Sequence, residues 1–129
     1  MGNGAGMVMS TVDVVSLVGG SAANFLDVRG GAGAQTVADA LDLLTGDPAV
    51  RVVLVNIFGG ITRCDLVAQG IAGVVGSRDL PWPVVVRLDG TNAAEGRAIL
   101  EKAAARGGVV PAATMLEAAR RAVELAGGR

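Results

Sequence analysis

The chain has 129 residues, 51% of them hydrophobic and 18% charged, with a net charge of −1 and a mean hydropathy of +0.53. That length holds one domain with a real core, the apolar content argues against disorder, and a near-neutral chain without a basic cluster disfavours nucleic acid and anionic lipid as partners. One cysteine precludes an internal disulfide, the lack of histidine removes imidazole chemistry and the usual zinc ligands, and no apolar run approaches the ~20 residues that cross a bilayer. The start Met1-Gly2-Asn3-Gly4 has neither the basic nor the apolar part of a secretory signal, so the expected location is cytoplasmic.

Along the chain, Ser10 or Thr11 can cap a first helix that runs to about Leu17 and stops at Gly19-Gly20, and the spacing then predicts a strand over 24–28. Gly30, Gly31 and Gly33 make a turn into a second helix with Val37, Ala40, Leu41 and Leu44 on one face and Gly46-Asp47-Pro48 as its end. The run from Val52 to Ile57 reads as a parallel strand covered on both faces. Val67, Ile71, Val74 and Val75 trace the buried stripe of a third helix, and Pro81-Trp82-Pro83 leads to a strand from Val84 to Leu88. Asn92 with Glu95 forms the next cap, with Ile99, Leu100 and Ala103 facing inward, and Val109-Val110 supplies a short last strand. Thr114 with Glu117 caps the final helix, whose stripe is Leu116, Ala119, Val123 and Ala126 and whose stop is Gly127-Gly128.

Five helices around at least four strands, joined by short connections, predict an α/β, flavodoxin-like three-layer fold with a parallel sheet in one domain over 1–129. Only Met1 and Gly2 precede Asn3, so the first strand of that sheet is expected to be missing or truncated, leaving neighbouring backbone groups in need of partners.

The stretch most informative for chemistry joins the central strand to the third helix through Gly59-Gly60-Ile61-Thr62. Two glycines let backbone approach a ligand, and Thr62 with Asp65 makes a T-x-x-D cap that would aim the first helical amides at a carboxylate or phosphoryl group. The same glycines also serve plain βα packing. Arg63 either faces the anion or pairs with Asp65, and Cys64 is read as a buried structural thiol. Asp27 and Asp89 are read as turn caps, with no metal site expected, while Trp82 anchors a loop and Met1, Met7 and Met9 are read as packing or terminal residues. Neither G-x-x-x-x-G-K-[ST] nor G-x-G-x-x-G spacing occurs, so tight nucleotide binding is not expected.

Asn3-Gly4-Ala5-Gly6, Ala23 through Val28, Val55 through Asp65 and Val84 through Asn92 together span most of the chain. In these stretches it resembles the carboxy-terminal domain of the succinyl-CoA synthetase (succinate–CoA ligase) β subunit. The resemblance implies part of an acid–CoA ligase of the tricarboxylic acid cycle, forming succinyl-CoA reversibly with ATP or GTP. It implies an α-subunit partner whose phosphohistidine lies between helix N-termini of both subunits. On this chain Gly59, Gly60, Ile61 and Thr62 would hold the phosphoryl group or a carboxylate, and Asn3 matches an asparagine that helps bind substrate. Arg63 is a further candidate, and no nucleophile is expected.

The ATP-grasp domain that precedes this domain in the family is absent here and would be a separate domain or chain. ATP or GTP, Mg and CoA belong to the complete enzyme, and the domain alone should bind none of them and be inactive. The substrate is succinate or a related dicarboxylate such as malate; the other reading is a noncatalytic assembly or binding module. Arg29 stands first where the family resembles three consecutive glycines, either strained or adding positive charge near an anion or subunit interface.

Overall fold

The computed structural model describes residues 1–28, 33–59, 62–77, 79–105 and 107–127, the side chain of Ala5 excepted. The expectations for Arg29, Gly30 and Gly31, and for Gly60 and Ile61, lie outside the described residues.

Three apolar runs become strands of one parallel sheet, β1 (Val53–Gly59), β2 (Val84–Gly90) and β3 (Val109–Ala112), ordered β1-β2-β3. The register sets Val53 opposite Val84, Asn56 opposite Arg87 and Gly59 opposite Gly90, and pairs Val86 with Pro111 of the edge strand. On one face α2 (Ala34–Leu44), α3 (Cys64–Ser77) and α4 (Ala93–Ala104) bury Leu41, Val67, Ile71 and Leu100 against Val55, Ile57, Val86 and Leu88. On the other, α1 (Ala5–Leu17) and α5 (Met115–Leu125) cover the sheet, with Ala118 and Ala122 packed on Val85 and Ala112 and against Leu54 and Val110. Helices on both faces of a parallel sheet make the expected three-layer α/β architecture, and each fully buried Val, Leu or Ile contributes about 1.5–3 kcal/mol.

The expected helix faces hold with local exceptions. Val37, Leu41 and Leu44 are buried on α2 and Val67, Ile71 and Val74 on α3, and Trp82 closes the core beneath β2. On α5 the buried positions are Ala118, Ala119 and Ala122 while Leu116 stays 46% exposed, because the helix presents its small residues to the sheet. Thr114 caps α5 as its spacing predicts: its hydroxyl accepts from the Glu117 amide at 3.1 Å, and the Glu117 carboxylate accepts from the Ala113 amide. Asn92 does not cap α4. It sits in the left-handed region at φ 57°, and its side chain donates to Asp65 instead.

The amino-terminal portion departs further from expectation. α1 begins at Ala5, not at Ser10 or Thr11, because Gly4 turns the chain at φ 107° and the Asp27 carboxylate accepts the Gly4 amide at 2.6 Å. Thr11 lies within the helix, its hydroxyl bonded back to the Met7 carbonyl. The strand predicted over 24–28 is reduced to one residue: Gly2 bridges in parallel to Asp27 on one side and Asn56 on the other. With these bridges counted, sequence segments lie side by side in the order 2-1-3-4-5, the flavodoxin-like order, with Met1 and Gly2 at the first position between the other two.

Candidate functional site at the carboxyl end of the sheet

β1 ends where its chain must pass between β2 and α3. A side-chain carbon at Gly59 would lie 2.6 Å from the Thr91 nitrogen and 2.8 Å from its carbonyl oxygen, and one at Gly90, itself at φ +88°, would run into the Gly59 backbone. Two facing glycines therefore let two strand ends close against each other, and Thr91 donates its amide to the Gly59 carbonyl at 3.3 Å.

α3 starts just beyond. The first helical bond runs from the Val67 amide to the Arg63 carbonyl, so Arg63 occupies the capping position and Thr62 lies one residue before it. The T-x-x-D cap predicted from sequence is thus not made. The Cys64 amide, held at 3.1 Å by the Thr91 carbonyl, ties the helix start to the β2–α4 turn and moves it one residue along. Thr62 is left only 1% exposed, its Oγ1 buried with no hydrogen-bond partner among the described residues.

Arg63 takes the paired alternative, its Nε and Nη2 donating to the Asp65 carboxylate at 3.2 and 2.7 Å. Burial works against the ionised Asp65 carboxyl, but the hydrogen bonds from Asn92 and Arg63, the Arg63 charge and the Leu66 amide together hold it below the usual carboxylate range. Cys64 is buried as expected of a structural thiol, and its Sγ donates to the Asp89 carbonyl. Burial pushes that thiol up, against the lowering effect of its hydrogen bonding with the Gly59 and Asp89 backbone.

Asn3 lies beside the same strand end, with its side-chain amide paired to a peptide unit. Its Oδ1 accepts the Phe58 amide at 2.9 Å and its Nδ2 donates to the Phe58 carbonyl at 2.6 Å. Asn3, Gly59 and Thr62 thus share the carboxyl end of β1 and the approach to α3, and Asp27 caps α1 nearby.

Sequence reasoning missed the polar bridge on the α1 face. Asn56 is fully buried in β1, donates to the Thr11 hydroxyl at 2.9 Å, and accepts from Arg87 Nη1 at 3.2 Å, while Arg87 Nη2 reaches Asp89. The signal was a polar residue in each of two apolar strands, which the register then sets opposite one another. Among the described residues no three acidic or thiol side chains gather in a way that could hold a metal ion, and no helix is long and apolar enough to cross a membrane.

A parallel sheet in this order, covered by helices on both faces, places the chain in the flavodoxin-like class of α/β domains. The CoA-ligase family model matches residues 1–126, and the chain belongs to that family. It is 56% identical over 126 residues to the succinate–CoA ligase (ADP-forming) subunit beta of Herpetosiphon aurantiacus, covering 98% of this chain and 32% of that protein. It is 57% identical over 126 residues to subunit beta 2 of the same enzyme from Streptomyces coelicolor, covering 98% of this chain and 33% of that one. The chain therefore spans about a third of these relatives' length. An ATP citrate lyase of Methanothrix soehngenii, solved with citrate and coenzyme A, shares the fold at a TM-score of 0.76 and 20% identity, over 96% of this chain and 35% of that one.

Proposed function

We propose that this chain acts as the carboxy-terminal CoA-ligase portion of a succinate–CoA ligase β subunit. In this reading the turn from Gly59 through Gly60 and Ile61 to Thr62 offers backbone amides to a phosphoryl group or carboxylate in reversible succinyl-CoA formation coupled to ATP or GTP. The observation that carries the reading is the buried Thr62 hydroxyl at the approach to α3, which has no partner among the described residues, since a buried donor without one is costly and is expected to be met by a ligand or water. The Cys64 amide is committed to Thr91, so the contribution falls to the turn ahead of the helix and to the positive end of the α3 dipole, with Arg63 at its rim.

Asn3 acts here by fixing the Phe58 peptide, and through it the strand end that leads to the turn. Phosphoryl transfer needs positioning and charge stabilisation more than a nucleophile from every subunit, which suits a chain without histidine beside an α subunit that carries the phosphohistidine. Nucleotide and Mg belong to an ATP-grasp domain or chain and CoA to the assembled enzyme; none is assigned to residues of this chain. The working location is the cytoplasm.

The test is reconstitution. This chain joined to an ATP-grasp domain and assembled with an α subunit supports succinate- and CoA-dependent nucleotide turnover, and Gly60→Val lowers succinate-dependent phosphorylation of the α histidine by roughly 10²-fold. Unchanged phosphorylation in that variant rejects the assignment of the turn. Assembly with no turnover at all, with malate as well as succinate, favours the noncatalytic module.

A further inference from the structure

Two neighbouring residues at the entry to α1 are selected by the fold for different reasons. Asn3 has to donate and accept side by side, its Oδ1 taking the Phe58 amide at 2.9 Å and its Nδ2 reaching the Phe58 carbonyl at 2.6 Å, a pairing that a carboxylate cannot make. Gly4 has to turn the chain at φ 107°, and a side-chain carbon there would meet nothing within 4 Å, so the backbone angle and not crowding requires glycine. Together the two demands set an asparagine before a glycine, whereas Asn24, Asn56 and Asn92 precede Phe25, Ile57 and Ala93. Asparagine is a thermally labile residue, and most so where no side chain shields the next nitrogen. The glycine nitrogen attacks the asparagine Cγ to close a cyclic imide, the Cγ–Nδ2 bond breaks, and ammonia leaves with the proton that the glycine nitrogen gives up. Water then opens the imide at one carbonyl or the other, leaving aspartate or isoaspartate.

We propose that Asn3-Gly4 is a spontaneous deamidation site that the folded chain holds in check and that reacts when the contacts of Asn3 with β1 open. The two bonds to Phe58, 55 residues away, keep the Asn3 amide turned to β1. The Gly4 nitrogen is occupied as well, donating to the Asp27 carboxylate at 2.6 Å, and a negative charge at that distance opposes the loss of its proton. All of these partners lie far along the chain, so local opening of the β1 end frees Asn3 and leaves its Cγ within reach of the Gly4 nitrogen. The change is irreversible and undoes the geometry that held it off. Aspartate still accepts the Phe58 amide but sets an oxygen against the Phe58 carbonyl, and isoaspartate lengthens the main chain by one carbon and carries its carboxylate on a shorter stem. Either product loosens the end of β1 from the start of α1.

The test follows the asparagines by peptide mass mapping in the unmodified 129-residue chain, folded and in urea, at equal pH and temperature. In urea Asn3 converts ahead of Asn24, Asn56 and Asn92, and in the folded chain it converts about tenfold more slowly or less. Asp27→Asn removes the charge but keeps an acceptor, and raises the folded rate about threefold or more. Asn3→Asp, which carries the charge of the product, speeds exchange of the Phe58 amide by about tenfold. Should Asp27→Asn fail to fold, urea below the unfolding transition decides: loss of Asn3 in the unmodified chain rises in proportion to Phe58 amide exchange. Equal rates in the folded and unfolded chain, no preference for Asn3 in urea, or an unmoved rate in a folded Asp27→Asn overturns the proposal. So does Phe58 exchange that is unchanged in Asn3→Asp or that Asn3 loss does not follow.

Discussion

The two ends of the sheet satisfy the same parallel hydrogen-bonding pattern by different means. From β1 to β3 the ladder is backbone throughout, in unbroken register and under aliphatic cover on both faces. Before β1, among the described residues, the backbone pairs at Met1 and Gly2, and side chains take over. Asn3 presents its amide to Phe58 as a further peptide unit would, which lets the main chain leave the sheet and enter α1 two residues later. The Asp27 carboxylate then accepts the Gly4 amide, as a strand carbonyl would. Apolar burial makes the first region robust, while the second depends on individual polar contacts and on the protonation of one amine.

The sharpest way to break the complete region is Gly90→Ala, which forces a side chain into a left-handed backbone and against Gly59. We expect a loss of about 4 kcal/mol, read as a fall in the urea midpoint at constant slope. The region at Met1 and Gly2 should instead respond to pH. Burial lowers the Met1 amine from 8.0 to about 6, so between those values the unfolded chain binds more protons than the folded one and stability rises with pH. The gain from pH 6 to 8 should be about 2 kcal/mol, and acetylating Met1 should flatten that dependence in urea titrations.

Smaller effects sharpen the contrast. Asn3→Ala removes both bonds to Phe58 and should cost about 1–2 kcal/mol, with faster exchange of the Phe58 amide than of any β2 amide. Thr114→Ala deletes the α5 cap, and a loss of about 1 kcal/mol in thermal unfolding, independent of pH between 6 and 8, would mark it as a local event.

Where periodicity decides, the sequence was readable. Val84 to Leu88, the Leu41 and Ile71 helix faces and the Thr114 cap emerge from local spacing because each depends on neighbours within a few residues. The misplaced features depend on distant groups. α1 starts early because of an acid 23 residues away, and α3 starts late because Thr91 holds the Cys64 amide. At the candidate site, the glycine turn and Arg63–Asp65 pairing were legible, whereas the Asn56–Arg87 bridge needed the register of two strands.

Pro111 gives the opposite rim of the molecule a distinct character. Val84 donates to the Gly108 carbonyl, so in β3 the backbone groups of Val109 and Pro111 point away from β2, and proline removes one of the outward donors. A foreign chain arriving at that margin meets an interrupted row of donors and cannot zip along it. Growth into fibres by lateral stacking is thereby discouraged at β3.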